Sequence, residues 1–167
     1  MPNADHVDLE SRAKDQTHQS LRLWLRLLTC THLIEAEVRR RLRGAFDISL
    51  ARFDLMAQLD RHPGGLKMSE LSRRMMVSGG NVTGLTDQLE AEGLVVRVAD
   101  PNDRRAYTVQ LTDSGHDAFQ HMATEHEAWV IELFDGLGSA DKDRLFALLG
   151  GLKRSVTTQV IDKEAPE

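Results

Sequence analysis

The chain has 167 residues, of which 41% are hydrophobic and 28% charged, an ordinary balance for one globular domain with or without a helical extension. Only 5% are aromatic, so the core must be built from Leu, Val, Ala and Met, and an all-β sandwich or barrel is disfavoured. A net charge of −5 excludes a protein that coats nucleic acid by bulk charge, though not one with a local basic patch, and the single cysteine, Cys30, excludes an intramolecular disulfide or a multi-cysteine zinc site.

Residues 1–17 are polar, lack apolar periodicity and read as a flexible N-terminal arm without a secretory signal. No apolar run approaches the ~20 residues that span a bilayer, so a cytoplasmic protein with no membrane partner is expected. From Leu21 to Leu42 the spacing is helical on two stripes: Leu21, Leu25 and Leu28 on one; Leu23, Leu27, Cys30, Ile34 and Val38 on the other. Such a helix would reach roughly 33 Å, more than the core of one small domain covers. One stripe is therefore expected to pack within the chain and the other against a second copy. The alternative is a central helix buried in a monomer. Cys30 is expected to be packed rather than reactive, and Gly44 is expected to end the helix.

A second helix carries Leu50, Phe53, Leu55, Met56 and Leu59 and is closed by His62-Pro63-Gly64-Gly65. Ser69 is the expected N-cap of a short helix with Leu71, Met75 and Met76 turned inward. Ser78 caps the next, in which Val82, Leu85 and Leu89 recur on one face, with Gly93 as its stop. The period then changes. Residues 94–98 and 107–111 read as strands, and the Asp-Pro-Asn-Asp run between them is turn chemistry, giving a hairpin with a charged tip. Thr112 is expected to cap a helix with Phe119, Met122, His126, Val130 and Leu133 in a stripe. Ser139 caps a last helix, with Leu145, Leu148, Leu149, Leu152 and Val156 on one side.

The expected fold is therefore mainly α with a small β-hairpin wing. A winged helix-turn-helix spans 49–111, flanked by dimerisation helices over 18–48 and 112–161. In such a motif the helix over 69–76 crosses a DNA backbone, with Ser69, Arg73 and Arg74 as contacts, and the helix over 79–92 enters the major groove. Ser78, Gly79, Gly80, Asn81, Thr83, Gly84 and Gln88 are its candidate DNA-facing residues. Asn and Gln match the adenine edge, and Thr matches a thymine methyl or a phosphate. Each glycine costs about 1 kcal/mol of helix stability relative to Ala. Either the bare backbone approaches DNA closely, or the glycines relieve crowding between the two helices. At the hairpin tip, Arg104 and Arg105 suit a narrow minor groove with Asp103 as a buttress, or else form a solvated turn. Over 67–110, Lys67, Arg73, Arg74, Arg97, Arg104 and Arg105 balance Glu70, Asp87, Glu90, Glu92, Asp100 and Asp103, so the reading module is neutral while the rest of the chain is acidic.

The stretch from Met68 to Gly115, with the D-x-R of Asp103 and Arg105, resembles the winged-helix core of the multiple antibiotic resistance regulator (MarR) family. The resemblance extends over residues 20–161. It implies an obligate homodimer that binds a double-stranded DNA operator, usually as a repressor, with Arg105 as the minor-groove arginine. It also implies release by a small ligand, often a phenolic or aromatic acid. The run MMVSGGNVTGL is similar to a subgroup that controls hydroxycinnamate and related aromatic acid catabolism, some of which sense acyl-CoA thioesters. For such a small aromatic or aryl-CoA effector the candidate lining is Trp24, Phe46, Arg52, Phe53, Met56 and Trp129, although Trp24, Phe53 and Met56 serve equally as core. Arg22, Arg26, Arg39, Arg40, Arg41 and Arg43 suit a CoA phosphate or simply form a solvated face.

No cofactor or metal site is expected: His121 and His126 fall on different helix faces, and the other histidines are scattered. An enzyme has little to stand on, with no phosphate-binding glycine loop and no nucleophile elbow. The alternative function is a winged-helix protein–protein module without sequence-specific DNA binding.

Overall fold

A computed structural model describes the backbone of residues 18–100 and 103–164 and the side chains of 18–99 and 107–159. The expected arm over 1–17 lies outside the described residues, as do the side chains of Asp103, Arg104 and Arg105. In chain order the elements are α1 (Gln19–Phe46), α2 (Leu50–Asp60), β1 (Leu66–Lys67), α3 (Met68–Met75), α4 (Gly79–Ala91), β2 (Val95–Asp100), β3 (Asp103–Leu111), α5 (Asp113–Leu133) and α6 (Ser139–Glu164). The protein is thus mainly helical, with one antiparallel sheet in the order β1-β3-β2. The chain forms two compact units divided between Trp129 and Val130.

With 28 residues, α1 is longer than the periodicity indicated. At 1.5 Å per residue it reaches about 42 Å. Only Val38 and Leu42 of α1 are buried, whereas Leu21, Leu23, Trp24 and Leu33 stay exposed. Cys30 is exposed too, so its expected packing does not occur among the described residues. Gly44 does not end the helix. A single glycine weakens a helix without barring it. The stop comes at Asp47, whose left-handed backbone (φ 50°) turns its N–H onto the Arg43 carbonyl at 3.2 Å.

The Ser49 hydroxyl opens α2 by accepting the Arg52 N–H at 3.3 Å, and Phe53, Leu55, Met56 and Leu59 enter the core. At Gly65 (φ +83°) a Cβ would stand 2.6 Å from Gln110 Cγ and 2.8 Å from the Val109 carbonyl. Only a glycine lets the chain lie this tightly on β3, and the next residue, Leu66, pairs with Val109. That pairing makes β1, a strand too short to leave a periodic signal.

Two expectations about α3 are corrected. Its first turn is closed by the Lys67 N–H donating to the Glu70 carboxylate at 3.2 Å, so Ser69 sits inside the helix rather than capping it. Met76 does not face inward: it adopts a left-handed backbone (φ 54°) and is 92% exposed. That inversion ends α3 and leaves Leu71 as its buried anchor. The expected caps at Ser78, Gly93 and Thr112 do form. The Ser78 hydroxyl accepts the Asn81 N–H at 3.4 Å. Gly93 (φ +73°) returns its N–H to the Glu90 carbonyl at 2.9 Å, and the Leu94 N–H reaches the Leu89 carbonyl at 2.9 Å. Both strands run further than expected: β2 and β3 pair from Val95↔Leu111 out to Asp100↔Asp103, with an irregularity at Ala99/Asp100.

The base of the hairpin is locked to α5. The Thr112 hydroxyl accepts the Gly115 N–H at 3.0 Å and donates to the Gly93 carbonyl at 2.7 Å. In the second unit, α6 starts one residue earlier than a Ser139 cap would place it, with the Lys142 N–H on the Gly138 carbonyl at 3.0 Å. No described side chain of α6 is buried, and Phe146 and Leu148 are 81% and 65% exposed.

Candidate nucleic-acid interface

Helix α4 has two unlike faces. Val82, Leu85, Thr86 and Leu89 are buried, and the Thr86 hydroxyl is satisfied by the Val82 carbonyl at 2.8 Å. Spacings of three and four residues put these on one side and leave Asn81, Thr83, Gly84 and Gln88 exposed on the other. Ser78, Gly79 and Gly80 are exposed at its start. A Cβ built at Gly79, Gly80 or Gly84 would meet nothing within 4 Å. Crowding between the helices of the motif therefore does not explain these glycines, and within the chain they leave a bare, accessible backbone. Ser69, Arg73 and Arg74 are exposed on α3, and neither arginine forms an ion pair among the described residues. The backbone of Asp103, Arg104 and Arg105 begins β3.

Arg97 was not singled out by the sequence, yet it is the most heavily bonded of the motif's described side chains. From β2 its guanidinium reaches both Asp87 and Glu90 of α4, its backbone N–H donates to Glu90 at 3.2 Å, and it lies 5.6 Å from the centre of the Tyr107 ring. Burial works against its charge, but the hydrogen bonds to Asp87 and Glu90 hold its pKa above the ordinary arginine value. A signal was present. Strand alternation sets Arg97 on the side of Val95, and Asp87 and Glu90 are one turn apart on the preceding helix.

Of the candidate effector residues, Phe46 and Arg52 line one cavity of about 400 Å³ together with Leu94, His121 and Met122. Trp129 meets the Phe46 ring at 6.2 Å without lining it. Trp24 is 56% exposed on α1, and Met56 is wholly buried core. Phe53 packs on Phe119 and His126 and borders a second cavity of about 410 Å³, beside Arg61 and Arg74. There Asp54 has its pKa raised by burial, partly offset by His126. Arg52 is paired with Glu92, the residue that ends α4, while its Nε is buried with no hydrogen-bond partner. The α1 arginines are partly compensated: Glu37 accepts from Arg40 and Arg41 at 2.6 Å, and Arg40 first, then Arg41, hold its carboxyl down at about 2. No helix among the described residues is long and apolar enough to cross a membrane.

A short helix, a second helix with one buried and one bare polar face, and a hairpin locked to its end define a winged helix-turn-helix of the DNA-binding class. Residues 46–106 match the MarR family model. A crystal structure of a MarR family transcriptional regulator from Silicibacter pomeroyi superposes with a TM-score of 0.73 at 34% identity, covering 85% of this chain and 98% of that one. An uncharacterized HTH-type regulator of Bacillus anthracis is 27% identical over 90% of this chain and 99% of its own. The regulator YkoM of Bacillus subtilis is 34% identical, over 52% of this chain and 56% of its own. The chain belongs to the MarR family of transcriptional regulators, and its relatives are regulators rather than enzymes.

Proposed function

We propose that the protein is a homodimeric repressor that binds a near-palindromic operator and is released by a small aromatic acid or its acyl-CoA thioester. The observation that carries the DNA reading is the bare outer face of α4, where Asn81, Gly84 and Gln88 project from a helix anchored on its other side. Nothing among the described residues covers that face, and its side chains suit base edges. The exposed apolar residues of α1 and of α6 each need a cover, and a second copy supplies it without a separate partner. A two-fold axis would then set two reading helices about 34–36 Å apart, on successive major grooves.

The cavity at Phe46 and Arg52 supports the effector reading. Its size suits a single substituted ring. A ligand carboxylate would be drawn to the Arg52 guanidinium that lines the cavity, in competition with Glu92, and an acyl-CoA would place only its aryl end inside. Because Arg52 also holds Glu92, occupancy at that guanidinium bears on the end of the reading helix. The effector then favours a dimer whose reading heads are wrongly set, a shift of population rather than a blocked surface.

The test is a duplex selected from random sequence by the wild-type protein. It should show two-fold symmetry. Arg105→Ala is expected to weaken binding and to lower the slope of log affinity against log salt by about 1, with the dimer intact. An unchanged affinity and slope would remove the wing from the interface, and failure to select any duplex would favour the protein–protein module. Phenolic acids and their CoA thioesters are expected to raise the melting temperature and to release the duplex. Arg52→Met should lose that response while still binding DNA. Release undiminished in Arg52→Met would move the effector elsewhere.

A further inference from the structure

We infer that Arg97 is a positioning residue for DNA reading: it fastens the wing to the reading helix and so sets the angle at which both reach one duplex. The inference rests on the DNA reading above.

Three elements meet at this one guanidinium. It stands on β2, its two terminal nitrogens go to different carboxylates of α4, and Tyr107 of β3 lies beside it. Its side chain is 21% exposed, so the guanidinium is shielded although Asp87 stands in solvent. The planar fork matters. One carboxylate contact would leave the wing free to pivot on α4, whereas contacts to Asp87 and Glu90, one turn apart on the helix, fix its angle. The backbone N–H of Arg97 donates to Glu90 as well, which ties strand and helix together even at the main chain. Both acids sit on the later half of α4, away from the bare start that would meet the bases.

Charge and clamping predict opposite signs for one substitution. Asp87→Asn removes an exposed acid from the reading helix and keeps the fold, because its side chain is 58% exposed. If Asp87 were only a surface charge, its loss would tighten DNA binding. If it holds the wing through Arg97, its loss loosens binding. The experiment measures affinity for the selected duplex across a salt series, with thermal melts as a check on folding. Asp87→Asn is expected to weaken binding severalfold, and Arg97→Gln by about tenfold. In the Arg97→Gln background, Arg105→Ala should cost less than about half, on a logarithmic scale, of what it costs in the wild type, since an unfastened wing contributes little. Arg97→Lys keeps the charge but cannot span both carboxylates, and it should behave as Gln does. Tighter binding by Asp87→Asn, full rescue by Lys, or independent effects of the Arg97 and Arg105 substitutions would overturn the proposal. A wild-type protein indifferent to Arg105→Ala would instead count against the wing contact proposed above, and the sign of the Asp87→Asn effect would still decide the clamp.

Discussion

Gly115→Ala is expected to cost about 3 kcal/mol of stability, the upper range for overpacking in a well-packed interior. An added Cβ would lie 1.8 Å from the Leu94 carbonyl oxygen and 2.8 Å from its carbonyl carbon. Both are backbone atoms, so no flexible side chain can turn aside. The same carbonyl accepts the Thr112 N–H at 3.1 Å, and the Gly115 N–H is bonded to the Thr112 hydroxyl at 3.0 Å. Relief therefore means breaking the junction at which the hairpin enters α5. Urea unfolding of the variant should show a lower midpoint with an unchanged slope. A loss under 1 kcal/mol would mean that α5 does not pack this closely on Leu94.

The same substitution at Gly84 is expected to act in the opposite direction. Gly84→Ala should raise stability by up to about 1 kcal/mol, because a helical glycine gives up more backbone freedom and an added Cβ meets nothing within 4 Å. Its DNA affinity should nonetheless fall. Gly84→Glu should reduce affinity by about hundredfold or more, since a long carboxylate would occupy the approach to the bases and repel the phosphates. Melting temperature and affinity for the selected duplex, measured on the same preparations, check both halves. A Gly84→Glu protein that bound like the wild type would take the α4 face out of the DNA interface. Opposite signs for stability and binding mark a position kept bare for something outside the chain.

Much of this architecture is local and was legible. Ser78 and Thr112 cap because their hydroxyls reach an N–H three residues on, and Gly93 stops α4 because only a left-handed residue closes that turn. The buried set Val82, Leu85 and Leu89 follows from helical spacing alone. Local rules give way where a neighbour elsewhere in the fold competes with them. Gly44 looked like a stop, but the inversion falls at Asp47. Met76 looked apolar and inward, yet its left-handed turn throws it into solvent. Strand β1 exists only because Leu66 finds Val109, more than forty residues away.

The candidate sites divide in the same way. The reading face of α4 was visible as a pattern of small and polar residues opposite an apolar stripe. The pairing of Arg52 with Glu92 joins residues forty apart, so no spacing rule announces it. The effector residues shared only an aromatic or cationic character, and composition cannot say which cavity each one lines. The sequence by itself determined the order of the helices and of the hairpin, the caps at Ser78, Gly93 and Thr112 and the two faces of the reading helix, because those depend on contacts within a turn or two of chain. Tertiary structure alone decided that Arg52 and Arg97 are already paired, which glycines are squeezed and which are open, and how the wing is tied to α4, because each depends on distances between segments that meet only when the chain closes on itself.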